Sequence, residues 1–404
     1  MRNIGLIGNG NAGWIAGVQY LQSLLYGNSL LPNGERSSFQ LFLHQDIHRP
    51  QDFQAVQPYL DGVHFFDYFP GRSFPWVRKS YQMVQQIRQG QWPRYPTKSL
   101  TQLALQNRVD LVFPANEVVQ RSVPFRQISW IPDFQHLHLP QYFTAYQLSK
   151  RRQDFGRIMQ RSDRVIVSNQ SSYDDAVRLY PMVADKFVIL NFTMYLGENW
   201  QRPEVTAFTE KYELPDKYLL FPSQFWKHKN HLRLLEALHR VRQAGLTDLV
   251  LVCTGHPHDP RHPAYTAEVQ AFLDRYQLRP AVRLLGLLPR TDQVQLMRGA
   301  AAIVQPSLFE GWSALLEDCR SLGKTVLASD IPMHCEQQTE QTFLFDPYSV
   351  RAIADCLLEH WPRLRPGPHL VAESAGAAGY HTRIQEFARR FNQICHSTLS
   401  SQHA

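Results

Sequence analysis

Short apolar runs rich in β-branched residues recur along the chain, separated by longer stretches with helical spacing. In the first half they are Ile4–Ile7, Phe39–Leu43, Leu111–Phe113, Ile128–Ile131, Val165–Val167 and Val188–Leu190. In the second half they are Tyr218–Phe221, Leu249–Cys253, Val282–Leu285, Ala302–Val304, Val326–Ala328 and Phe343–Phe345. Most are continuous rather than alternating, as strands covered on both faces require. Between them the apolar period is helical: after Asn230, the residues Leu232, Leu235, Leu238 and Val241 share a face. This alternation predicts an α/β protein built from doubly wound parallel sheets. The 404 residues are too many for one core. The weakly periodic stretch Asn191–Asp216, with Gly197, Pro203 and Pro215, marks a boundary. The expected division is a first domain over 1–195, a second over 196–380 and a C-terminal helix over 381–404. Ile384, Phe387, Phe391 and Ile394 form the apolar face of that helix.

Composition narrows the class. Residues are 44% hydrophobic and 19% charged, and no apolar run approaches the length of a membrane-spanning helix. The apolar run in Met1–Gly8 is too short for a signal-peptide core and reads as a buried strand. Five cysteines without CxxC spacing point to reduced thiols and a cytoplasmic location. The net charge of +7 is mild, and no nucleic-acid partner is expected, yet the charge is unevenly spread. No acidic residue lies between Asp67 and Asp110, whereas Arg72, Arg78, Lys79, Arg88, Arg94, Lys98 and Arg108 do, interleaved with Trp76, Tyr81, Trp92 and Tyr95. Residues 72–108 therefore read either as a contact for a phospholipid surface or phosphate-bearing acceptor, or as a solvated face with ordinary surface arginines.

The stretch Gly8-Asn9-Gly10-Asn11-Ala12-Gly13 spells GxGxxG between a strand and a helix. Such glycines let a backbone approach a pyrophosphate at a helix N-terminus. A nicotinamide enzyme also needs an acid at the end of its second strand. That strand here ends in His44-Gln45, with Asp46 late, so the dinucleotide reading is disfavoured.

The second half carries more chemistry. The strand Ala302–Val304 runs into Gln305-Pro306-Ser307-Leu308-Phe309-Glu310-Gly311, and a helix-compatible run starts at Ser313. A carboxylate and a flexible turn thus sit at the carboxyl end of a strand, where open α/β sheets bind ligands. Free N–H groups at the helix start can hold a diphosphate, and Glu310 suits sugar hydroxyls. Asp318, two helical turns on, or Glu317 beside it, could accept from ribose hydroxyls. Taken alone, this spacing is common by chance and reads equally as a helix cap and an exposed acid. A second cluster, Phe221-Pro222-Ser223-Gln224-Phe225-Trp226-Lys227-His228-Lys229-Asn230-His231, places lysines at a helix start. That position is unfavourable unless an anion binds there.

Further matches accompany these residues in order: Leu285-Gly286, Ala300-Ala301, Leu322-Gly323-Lys324 and Ala328-Ser329-Asp330-Ile331-Pro332. Together they resemble the family 4 retaining glycosyltransferases (glycosyl transferases group 1), patchily over Gly13–Leu21 and clearly over Trp130–Pro332. The resemblance implies a GT-B fold, two Rossmann-like domains facing each other across a cleft, with the C-terminal helix returning to the first domain. It implies retaining sugar transfer from a nucleotide-diphosphate sugar, without a metal or other cofactor, in glycan or polysaccharide biosynthesis. Glu310, Lys229 and Lys227 would be catalytic. The donor would lie on Gly311, Trp312, Ser313, Ala314, Leu315, Glu317, Asp318, Gln224 and Leu287. The loop with Gly13, Trp14 and Gly17 would face the acceptor and the donor phosphate. Two departures stand out. The family's second glutamate is Asp318 here, and its usual arginine falls near the uncharged Gln224, for which Lys227 could substitute.

The acceptor side is expected at Trp130-Ile131-Pro132-Asp133-Phe134-Gln135-His136, which resembles one branch of the family. There Asp133 and His136 would bind or orient an acceptor hydroxyl on a glycan, a lipid-linked glycan or a small molecule. His136 and His138 lack a third ligand for zinc, and no Asp-x-Asp occurs to hold a cation on a diphosphate. Other readings of the same residues are a nucleotide-sugar epimerase or phosphorylase, a nicotinamide-dependent oxidoreductase and a non-catalytic sugar-binding module.

Overall fold

The computed structural model describes residues 2–10, 15–44, 47–66, 98–116, 118–201 and 204–400. Gly13, Trp14 and the part of the basic-aromatic stretch before residue 98 lie outside them. The first domain is a seven-stranded parallel sheet: β1 (Asn3–Ile7), β2 (Ser38–His44), β3 (Gly62–Phe66), β4 (Leu111–Phe113), β5 (Arg126–Ile131), β6 (Arg164–Val167) and β7 (Phe187–Ile189), in the order β3-β2-β1-β4-β5-β6-β7. The second is a six-stranded parallel sheet: β8 (Leu219–Pro222), β9 (Leu251–Thr254), β10 (Val282–Gly286), β11 (Ala302–Gln305), β12 (Val326–Ser329) and β13 (Thr342–Phe345), in the order β10-β9-β8-β11-β12-β13. All twelve apolar runs are strands, because residues such as Ile4, Leu111, Ile303 and Leu327 are covered from both faces. The pattern misses β3, an edge strand whose Phe65 is exposed and whose run of covered residues is short.

In each sheet the strand order reverses at a central pair, β1/β4 and β8/β11, which opens a crevice at the carboxyl ends. Phe192 and Met194 pack in the first domain's core, Leu196 and Trp200 in the second's. The last helix spans Leu370–Ser400 and so starts before residue 381. Its Ala- and Gly-rich first third carries exposed Leu370 and Val371, which hides that start in the sequence. Tyr380 and Ile384 pack on the second domain, and Phe387, Phe391 and Ile394 on the first. The first helix, Ile15–Ser29, meets it at Gly27, where a Cβ would collide with the Ile384 carbonyl. No helix among the described residues is long and apolar enough to cross a membrane.

Candidate active site

A cavity of about 1140 Å³ lies between the two domains. Its walls are segments that leave the carboxyl ends of strands: Pro132, Asp133 and Gln135 after β5, Phe192 and Met194 after β7, and Ser223, Gln224, Trp226, His228 and Lys229 after β8. Arg261 follows β9, Leu287 and Arg290 follow β10, and Glu310–Leu315 follow β11.

Local hydrogen bonds aim the central pair. After β8 the chain makes a short turn, Lys227–Lys229, and Asn230 then adopts a left-handed conformation before the helix His231–Gln243. The Asn230 amide donates to the carbonyls of Pro306 (3.0 Å) and Pro347 (2.9 Å), and Leu308 N–H donates to the His228 carbonyl at 2.8 Å. These bonds fix the β8 turn against the loop after β11. Lys229 Nζ therefore sits 2.7 Å from Glu310 Oε1, which also accepts from Gln305 Nε2 at 2.7 Å. Burial opposes ionisation of Glu310, but the Lys229 ammonium outweighs it and holds the carboxyl below its ordinary value.

Gly311 and Trp312 join this loop to the first domain. The Asn169 amide donates to the Gly311 carbonyl, and the Trp312 indole donates to the Phe192 carbonyl at 3.0 Å. Ser313 caps the helix Ala314–Leu322 by accepting from Leu316 N–H, while its own N–H is taken by Gln337 Oε1 at 2.8 Å. The N–H groups of Ala314 and Leu315 have no intrahelical acceptor, and both residues line the cavity. Ala314 and Leu315, together with Gly311, Trp312, Ser313, Gln224 and Leu287, bring most of the expected donor-side residues onto one wall.

Several expected residues are elsewhere. Neither acid of the Glu317/Asp318 pair is on the wall. Glu317 is buried against Gln337 (3.0 Å) and Arg320 (3.7 Å). Asp318 is taken up by a two-pronged pair with Arg290, at 2.5 and 2.7 Å. It is Arg290 that reaches the cavity. Aspartate's shorter stem keeps its carboxylate beside the helix, within the guanidinium fork. Lys227 also lies off the wall, and so does Gly17, buried in the first helix, where Ala16, Gln19 and Tyr20 face the cavity instead. His136 is set among Phe134, Phe143 and Phe155; burial, reinforced by Arg151, lowers its pKa and keeps the ring neutral. Asp133 is on the wall, where its Oδ1 accepts from Gln135 N–H (3.0 Å) and Arg151 (3.1 Å).

Besides Arg290, the second domain adds Arg261 to Lys229 on the cavity wall. Asp259 accepts from the N–H groups of Lys227 (3.0 Å) and Arg261 (2.9 Å), tying the β9 loop to the β8 turn. The Arg261 guanidinium reaches Gln135 Oε1 at 2.8 Å across the cleft. Arg261 sits in His256-Pro257-His258-Asp259-Pro260-Arg261, which has no motif spacing; its one sequence signal is its place after a strand.

Two doubly wound sheets with a ligand cavity between their carboxyl ends define the GT-B class, and that is the fold of this chain. Residues 205–360, most of the second domain, match the family described as glycosyl transferases group 1. The chain is similar in structure to a glycosyltransferase from Rickettsia africae (TM-score 0.65, 15% identity, 99% of each chain covered). It is similar to Anabaena HepE in complex with UDP and glucose (0.64, 15%, 100% of each) and to sucrose-phosphate synthase from Thermosynechococcus elongatus (0.65, 15%, 100% of each). No curated protein matches the chain in sequence at a significant level.

Proposed function

We propose that this protein transfers a sugar from a nucleotide-diphosphate sugar to an acceptor hydroxyl, with retention of anomeric configuration and without a metal. The observation that carries this reading is the Lys229–Glu310 pair beside the uncapped N–H groups of Ala314 and Leu315, in a cleft large enough for two substrates. In this reading the diphosphate rests on those N–H groups and on Lys229, whose charges grow in value as the leaving oxygen gains its electron pair. Glu310 accepts from the hydroxyls of the departing sugar. The acceptor oxygen bonds to the anomeric carbon as the bond to the diphosphate breaks. The acceptor proton passes to the leaving diphosphate on the same face. The acceptors in this reading are those of glycan or polysaccharide assembly, lipid-linked ones included.

The Anabaena relative is seen with UDP and glucose, so uridine donors are tried first. Thermal shift with UDP-, GDP- and ADP-sugars, followed by analysis of the anomeric product, tests the reading. A stabilising donor and a product of retained configuration are expected. Stabilisation by no nucleotide sugar, or turnover undiminished in both Lys229→Ala and Glu310→Ala, overturns it.

A further inference from the structure

The cavity that holds Glu310 is also lined by two guanidinium groups from different domains. Arg151 projects from the first-domain helix Ala145–Arg161, and Arg261 from the loop after β9. Their guanidinium carbons stand 5.0 and 4.8 Å from the centre of the same ring, Phe143. Two groups so placed lie within about 10 Å of each other, no more than a Debye length, and repel in the cleft. Lys150, next to Arg151, lines the same cavity and is paired at 2.7 Å with Asp154, which lines it too.

Neither arginine is saturated. Arg151 donates to Asp133 Oδ1 at 3.1 Å, an oxygen already shared with Gln135 N–H. Arg261 donates to Gln135 Oε1 at 2.8 Å and meets His228 Nδ1 at 3.3 Å. Its nearest carboxylate, Asp259, is 3.9 Å away and is occupied by backbone N–H groups. A guanidinium has five donors in a planar fork, so both keep N–H groups for a tetrahedral or planar anion. The Phe143 ring and Trp226, 5.5 Å from Arg261, fix the planes of the forks.

We propose that Arg151 and Arg261 together form an anion subsite for the acceptor, so that the acceptor carries a phosphate group. The proposal rests on the transfer reading above and names the acceptor class within it. Lys229 and the helix start at Ala314 serve the donor diphosphate from the second domain; the Arg151–Arg261 pair spans both domains. An acceptor phosphate bridging the pair removes their repulsion and draws the walls together, which favours closure over the reacting atoms. Its source is either a free sugar phosphate or a phosphate-linked lipid.

The test uses the full chain and four probes: glucose 6-phosphate, glucose, dodecyl phosphate below its micellar concentration, and UDP. Binding is read by calorimetry in the wild type, Arg151→Gln, Arg151→Lys and Arg261→Gln. Glucose 6-phosphate or dodecyl phosphate is expected to bind where glucose does not. Preference for the first points to soluble sugar phosphates and for the second to lipid phosphates. Each Arg→Gln change should weaken the phosphate probe roughly ten- to hundredfold, the loss of one or two charge-assisted hydrogen bonds. Arg151→Lys should recover part of that loss, and UDP affinity should move less than about threefold in Arg151→Gln. Neither phosphate probe binding more tightly than glucose, or a phosphate affinity indifferent to both Arg→Gln changes, overturns the proposal while UDP binding leaves the donor reading standing. UDP affinity falling with Arg151→Gln as far as phosphate affinity also overturns it, because the pair would then serve the donor. Melting temperatures near the wild type exclude misfolding of the variants.

Discussion

The Lys229 ammonium and the Glu310 carboxylate meet at 2.7 Å in the cleft, with side chains only 15% and 11% exposed. Removing one partner leaves the other charge without compensation. Lys229→Met is expected to lose up to about 3 kcal/mol of stability in urea unfolding. The double variant Lys229→Met/Glu310→Gln should regain most of it. Transfer should fall on the order of a hundredfold or more in all three proteins, the single Glu310→Gln included. Activity returning in the double variant together with stability would mean that the pair is structural.

Asp318 holds Arg290 and does not face the cavity, which makes its effect on the donor indirect. Arg290→Gln and Asp318→Asn should weaken nucleotide binding to similar extents, and the double variant should be no worse than the weaker single. A double-mutant cycle by calorimetry measures this. Additive losses would place Asp318 on the ligand.

Gly311 lies against the Pro132 carbonyl of the other domain, where an added Cβ would collide with it and crowd the Asp133 side chain. Gly311→Ala should part the walls at the point where Asn169 reaches the Gly311 carbonyl. The expected outcome is a larger radius of gyration in X-ray scattering and reduced kcat/KM, with the melting temperature nearly kept. An unchanged radius and rate would show that the loop yields instead.

His334 is buried on the Glu310 side of the second domain, its Nδ1 donating to the Ser329 carbonyl at 2.9 Å. Burial pushes its pKa down to about 4, from 6.5. The unfolded chain therefore takes up this proton at higher pH than the folded one. The stabilising contribution is complete above 6.5 and is lost as pH falls towards 4, about 3 kcal/mol over the whole window. Urea unfolding between pH 7 and pH 4.5 should show this slope in the wild type and a shallower one in His334→Gln. Parallel slopes would assign the acid sensitivity to other groups.

Much of the architecture was legible beforehand because continuous apolar runs have few solutions. Leu111–Phe113 and Val326–Ala328 make sense only between two layers of helices. Glu310 and Lys229 stood out because each lies in a loop between a strand and a helix and the residues around it resemble an ordered family pattern, whereas their spacing alone is common by chance. Asp318 was not legible. Its place in the spacing fits a ligand contact, but its partner Arg290 comes from another helix, 28 residues earlier. Likewise, nothing local separates His136, packed among phenylalanines, from Asp133 on the wall three residues before it.

The sequence by itself determined two parallel sheets and the loops that follow their strands, because hydrophobic period and chain continuity act over a few residues. Only the tertiary structure decided which charges face the cavity. Arg151 and Arg261 are 110 positions apart and share one phenylalanine ring, while Lys227, two residues from Lys229, does not line the cavity. Long-range packing sets the direction of such side chains, since a charge reaches a cleft only where a partner from a distant segment neutralises or orients it.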